Sequence, residues 1–382
     1  MSAVLFANLI RLHSLPLSPA KSVEPGHSKA GRRTGFLSGI LSRVWCLCGA
    51  LSILAGCVPV PENAVVVYSA ADREYAQPIL DAFQRQLPGV EVTSQFDIES
   101  TKTVGLANRI VAEATKTRCD VFWNNEIMHT LTLEKKGLLQ PITWDVPSNW
   151  PGAMRSSRNC WMGIAARARV LIVNRQLLPP DATRPSSVMD LADAQWAGRC
   201  GIALPLFGTT ATHFTVLIQH LGDAAAETFL RQVAQNAVVL SGNKQVAIQV
   251  ASGQLAWGLT DTDDALVEMD AGMPVEIIYP DQRPEQMGAL RIPNTVAVIA
   301  GGPHPVAAAQ LANYLVSEKT EGRLAMGASG QFPVRPEHPE TSRAQQDPSG
   351  KKLPIRWMDV DFSAAADRWP QANQTISSIF RK

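Results

Sequence analysis

Ala168-Arg169-Val170-Leu171-Ile172-Val173-Asn174 is an almost unbroken apolar run of strand length. Such a run, rich in β-branched residues, reads as a strand buried on both faces, the kind found where helices cover a sheet. After it the pattern gives a strand over 200–204, a helix from Thr209, a strand over 238–240, a helix, and a strand over 255–259. The same succession comes before it. Val65-Val66-Val67-Tyr68 reads as a strand, Ser69-Ala70-Ala71-Asp72 as a turn, and Tyr75, Ile79, Leu80 and Phe83 share one helix face. A strand over 90–96, a helix from Ser100-Thr101 and the strand Asp120-Val121-Phe122-Trp123 follow. Alternation of this kind predicts an α/β protein with a largely parallel sheet flanked by helices. Repetition on either side of 168–174 predicts two lobes, 64–165 and 166–279. Strands over 277–280 and 294–299 and a helix over 305–316 return the chain to the first lobe through 280–336, so two crossings make a hinge. Residues 335–352 are proline-rich and polar without an apolar period, and 361–380 read as a helix interrupted by Pro370, so 337–382 are a connector and a C-terminal helix.

The N-terminus differs in kind. Residues 1–56 carry six basic residues and one acidic residue, and 44–56 are uncharged. That run of 13 residues is shorter than the ~20 a membrane-spanning helix needs and matches the apolar region of a signal peptide. It ends in Leu54-Ala55-Gly56-Cys57, which resembles the lipobox of bacterial lipoproteins, where the cysteine is acylated. The expectation is a lipoprotein signal peptide over 1–56, a lipid anchor on Cys57 and an extended tether over 57–63. The protein is then held on the membrane in the periplasm or at the cell surface. Residues 57–382 carry 29 basic and 33 acidic residues, a formal charge of −4, which argues against a nucleic-acid-binding surface. Cys119, Cys160 and Cys200 remain in an oxidising compartment and permit at most one disulfide.

Ligand sites in open α/β sheets lie where strands end and helix N-termini offer free N–H groups. Ser69 and Ala70 follow the first strand. Thr101, Lys102 and Thr103 open one helix, and Gly208, Thr209 and Thr210 open another in the second lobe. Asn124, Asn125 and Glu126 follow the strand ending at Trp123, where they would reach the cleft rim. Asp261, Asp263 and Asp264 crowd three carboxylates into four positions, which is costly unless a cation balances them: a metal ion, an arginine or a ligand amine. Arg167 and Arg169 suit either an oxyanion or carboxylates that cross between the lobes.

Six segments carry a resemblance: Val67-Tyr68-Ser69-Ala70, Thr101 to Leu106, Asp120 to Glu126, Ala165 to Val170, Pro205 to Thr210 and Gly258 to Asp264, together with Ile292-Pro293-Asn294-Thr295-Val296-Ala297. In this order, over about 65–336, the chain resembles the type II periplasmic binding proteins of ABC importers usually labelled ferric-iron-binding. The resemblance implies a monomer that clamps a small molecule or ion between two lobes and passes it to a separate permease and ATPase. It implies neither catalysis nor a cofactor. Ferric-binding members usually hold iron with two adjacent tyrosines near the position of Asp263 and Asp264. The tyrosines here, Tyr68, Tyr75, Tyr279 and Tyr314, include no adjacent pair. Relatives in the family also take phosphorylated sugars, aminophosphonates and thiamine. The expected ligand is a zwitterion such as an aminoalkylphosphonate, its anionic end on Thr101, Thr103, Thr209 and Thr210 and its amine on Asp261 or Glu126. Ferric iron with a bound anion, on Asp261, Asp263 and Glu126, is the runner-up. From another class, an acid/base hydrolase would use Asp261 and Glu126.

Overall fold

A long strand that changes partners halfway along its length organises the molecule. The computed structural model describes residues 64–97 and 104–381. The expected signal peptide, tether and Cys57, and Thr101, Lys102 and Thr103, lie outside the described residues. The chain runs β1 (Ala64–Ser69), α1 (Arg73–Gln86), β2 (Glu91–Phe96), α2 (Val104–Ala112), β3 (Val121–Asn124), α3 (Met128–Lys135), β4 (Leu139–Gln140) and β5 (Trp161–Asn174). It continues through β6 (Cys200–Ala203), α4 (Gly208–Leu221), α5 (Asp223–Asn236), β7 (Val238–Leu240), α6 (Asn243–Ala251), β8 (Trp257–Asp261), α7 (Thr262–Asp270) and β9 (Val275–Ile278). It ends with β10 (Arg291–Ile299), α8 (Pro305–Leu315), α9 (Glu318–Met326) and α10 (Phe362–Phe380).

The strands are ordered β2-β1-β3-β10-β5-β8-β6-β7, with β4 added on β10 and β9 on β5. β1 pairs parallel with β2 and β3, and β6 pairs parallel with β7 and β8. The two strands between these parallel sets are antiparallel to their neighbours. β5 is fourteen residues long, twice the length its apolar run suggested, and buried throughout. Its first part, to Ala168, pairs with β10, and from Arg169 onward it pairs with β8 and β9. The seam between the two halves of the sheet therefore falls between Arg167 and Arg169. These side chains, two residues apart on a strand, project from the same face. One hydrophobic cluster fills the first half and one face of the second, and another, around Phe214, Trp257 and Leu259, fills the remaining face. No described helix is long and apolar enough to cross a membrane. Cys119, Cys160 and Cys200 are buried free thiols.

Just before the seam the backbone is bent. Ala165 has φ 34°, in the left-handed region, and the β5–β10 register shifts between Ile292 and Asn294. A non-glycine residue there costs of order 1–3 kcal/mol, so its surroundings must hold it. They do so through polar groups. Asn294 donates from its side chain to the Ala165 carbonyl, and Ala166 and Phe332 exchange backbone hydrogen bonds of 2.7 Å. The buried Glu321 carboxylate of α9 accepts from the backbone N–H groups of Ala165 (2.8 Å), Val334 (2.8 Å) and Arg335 (3.0 Å). Glu321→Ala leaves three donors without an acceptor, and calorimetry should show a loss of about 2–4 kcal/mol.

Candidate ligand-binding site

Three helices begin around one small cavity: α4 after β6, α6 after β7 and α7 after β8. Asn125, Arg167, Phe207, Gly208, Thr209, Thr210, Gly242, Asn243, Asp261 and Asp264 are among the residues lining it, and its volume is about 30 Å3. Gly208 opens α4 with φ 62°, a conformation that lets the backbone turn into the helix with its first N–H groups exposed to the cavity edge. Three N-termini give the cavity a positive bias from their partial charges.

Arg169 is fully buried and ties these helix starts together. Its Nη1 donates to Asp261 Oδ1 (2.7 Å), Thr209 Oγ1 (3.1 Å) and Asn243 Oδ1 (3.1 Å), and its Nη2 donates to Thr210 Oγ1 (3.1 Å). Asp261 also accepts from Thr209 Oγ1 (2.6 Å) and Asn243 Nδ2 (3.0 Å). Burial alone would raise the Asp261 carboxyl, but Arg169 and then Arg167 outweigh it and hold the group below its usual range. Arginine therefore balances part of the acidic run. Arg167 Nη1 lies 3.2 Å from Asp263 and 3.8 Å from Asp261, while its Nη2 donates to the Asn125 carbonyl (2.8 Å). Arg167 is 4% exposed, and its Nε has no hydrogen-bond partner.

Glu126 lies beside this group rather than in it. Its carboxylate accepts from the Met128 and His129 backbone N–H groups at the start of α3, from Asn124 Nδ2 (3.0 Å) and from Thr212 Oγ1 of α4 (3.1 Å). Desolvation pushes the carboxyl up, yet His129 and these hydrogen bonds hold it below the usual range. With both carboxyls ionised at neutral pH, neither Asp261 nor Glu126 holds a proton to donate as a general acid. Ser69 and Ala70 are buried at the end of β1, and Ala70 N–H donates to the Trp123 carbonyl, so this turn packs inside the first half. Tyr75 of α1 faces α7: burial first, then the Asp263, Glu74, Asp72 and Asp264 charges, pushes its phenol above the ordinary value. His213 of α4 is fully buried, and desolvation and then Arg169 push its imidazole well below its usual range.

The structure thus gathers Asn125, Arg167, Gly208, Thr209, Thr210 and Asp261 around one cavity, with Asp263 against Arg167. Sequence reasoning missed Gly242 and Asn243. Their signal was the same as at Gly208, a glycine between a strand end and a helix start.

Removing Arg169 strands Asp261 without its closest cation, so Arg169→Ala should cost about 3–5 kcal/mol in urea unfolding. Asp261 and Glu126 have folded pKa values below their ordinary ones, 3.8 and 4.5. The stability they contribute is complete above those values and is lost as pH falls through the lower folded ones. Acid unfolding of Glu126→Gln should therefore be less steep below about pH 4.5 than that of the wild type.

Residues 65–325 match the family model described as bacterial extracellular solute-binding protein. A Fe(3+)-binding periplasmic protein of Serratia marcescens is 27% identical over 198 residues, 52% of this chain and 56% of that one, so the chain spans little more than half of this relative's length. A putative 2-aminoethylphosphonate-binding periplasmic protein of Salmonella typhi is 24% identical over 332 residues, 82% of this chain and 94% of that one. The crystal structure of iron-bound HitA from Pseudomonas aeruginosa superposes with a TM-score of 0.70 at 21% identity, covering 83% of this chain and 99% of HitA. At that identity the likeness speaks for the fold, which is the two-lobed periplasmic-binding-protein architecture expected from the sequence. With the family model covering well over half its residues, the chain belongs to the bacterial extracellular solute-binding proteins.

Proposed function

We propose that this chain is the substrate-binding lipoprotein of an ABC importer and that its ligand is a small oxyanion with a positive end, of the aminoalkylphosphonate class. One observation carries the reading: a buried arginine with an unused Nε–H lines a cavity onto which three helices open. Arginine and helix N-termini together recognise phosphate-like groups through charge-assisted hydrogen bonds. Asp264 lines the same cavity, at the start of α7, and is the carboxylate we assign to the ligand amine. The cavity of about 30 Å3 holds only a water or two, so entry of a phosphonate requires the two halves to part. Closure over the ligand then shifts the population that the permease and ATPase, separate polypeptides, would sense. The alignment over most of both chains with the putative 2-aminoethylphosphonate-binding relative supports this class.

Ferric iron is the second reading, and one observation favours it. Carboxylate oxygens of Asp261, Asp263 and Asp264 lie within 4.8 Å of one another. Hard oxygen ligands suit that ion, although Arg167 and Arg169 already offset much of their charge.

A thermal-shift panel separates the two. Stabilisation by 2-aminoethylphosphonate and weaker stabilisation by methylphosphonate are expected, with Arg167→Ala weakening both at least about tenfold, the scale of a lost charge-assisted contact. Asp264→Asn should abolish the preference for the amine-bearing compound. Stabilisation by ferric citrate alone would overturn this reading. Membrane fractionation checks the anchor: the wild type should sediment with membranes and Cys57→Ser should appear in the soluble fraction.

A further inference from the structure

The C-terminal helix joins elements from both halves of the sheet. In its first part Phe362, Ala365 and Ala366 are buried in the cluster that fills the first half, and Trp369 packs against the same cluster. In its second part Ala372, Ile376, Ile379 and Phe380 belong to the other cluster, with the Phe380 ring 6.1 Å from that of Phe214 on α4. Pro370 sits between the two sets, inside the helix. Proline has no N–H to donate to the preceding turn, so α10 is weakest where it passes from one body to the other.

Just before Pro370, contacts reach both bodies. Asp367 pairs with Lys135 of α3, and the adjacent Arg368 pairs with Asp223 of α5. Trp369 makes an edge contact with His129 of α3, ring centroids 5.9 Å apart. Beneath the helix, Thr212 of α4 donates to Glu126 at the start of α3. The helices α3 and α4 thus meet directly, and α10 lies across both. The two attachments are unequal. A cavity of about 350 Å3 lies at the first attachment, between Ile127, Leu131, Trp161 and Phe362. Side chains bordering such a cavity pack against fewer protein atoms on that side, so the first part of α10 is the more easily detached.

We propose that α10 is a strap: its second part packs on α4 and α5, its first part grips α3 through Asp367 and Trp369 while Arg368 reaches back to α5, and Pro370 is the joint at which it yields when the two halves separate. Opening then requires loss of the Lys135–Asp367 and His129–Trp369 contacts as well as of Glu126–Thr212. Ligand identity does not enter this proposal.

Hydrogen–deuterium exchange on the unliganded full chain tests it, reading the amides of 128–135 in α3 and 208–215 in α4. Lys135→Ala lies at the surface and should leave the thermal midpoint nearly unchanged while raising exchange in both segments about two- to fivefold, the range expected for one exposed ion pair. Trp369→Ala should raise it further. The charge reversal Lys135→Asp with Asp367→Lys should restore slow exchange, which a merely local role for either residue would not predict for α4. Ile376→Ala should lower the thermal midpoint without selectively raising exchange in α3. If exchange in α4 is the same in Lys135→Ala and Trp369→Ala as in the wild type, α10 does not restrain opening and the proposal fails.

Discussion

A guanidinium in a water-free interior must be matched in charge and in hydrogen bonds, and at Arg169 that requirement arranges everything around the cavity. Asp261 supplies the charge, and Thr209, Thr210 and Asn243 accept further hydrogen bonds from its two terminal nitrogens. Because these partners begin α4 and α6 and end β8, satisfying one side chain fixes three helix starts relative to β5. The pair is not a large source of stability, since desolvation of two ions roughly cancels their attraction. What it supplies is position: helix N-termini are useful to an anion only when they converge, and Arg169 makes them converge.

A consequence follows for the charge of the site. With Asp261 neutralised by Arg169, the cavity is lined by Arg167, backbone N–H groups and the carboxylate of Asp264, with Asp263 placed against Arg167. Arg167 stands at the seam and touches Asn125 after β3 and Asp263 in α7 at once. Elements of both halves are therefore read by a single side chain at the point where β5 exchanges partners, and a change there is felt on both sides.

Much of this architecture was legible because strands and helices announce themselves locally. The runs at 65–68 and 168–174 became β1 and the second part of β5, and the polar clusters after strands became helix starts, because a chain leaving a strand into a helix needs residues that tolerate unpaired N–H groups. Legibility failed where a side chain chose between nearby partners. Nothing local marks the Asn125 backbone carbonyl as the group that meets Arg167. Glu126 was read as a rim carboxylate, yet it lies folded back on α3 with Thr212. Asp261 was offered to a ligand amine, yet Arg169, ninety-two residues away in the chain, faces it across a β-ladder.

From the sequence alone came the α/β class, the repeat of one pattern on either side of β5, the membership suggested by the ordered motifs, and the short list of polar helix starts. These are set by spacing and residue type over a few positions at a time. Tertiary structure alone decided which acid meets which base, that β5 extends back to Trp161 through a bend at Ala165, and that α10 reaches both halves. Those outcomes depend on pairing between segments far apart in the chain, where burial makes an unmatched charge or donor too costly to leave alone.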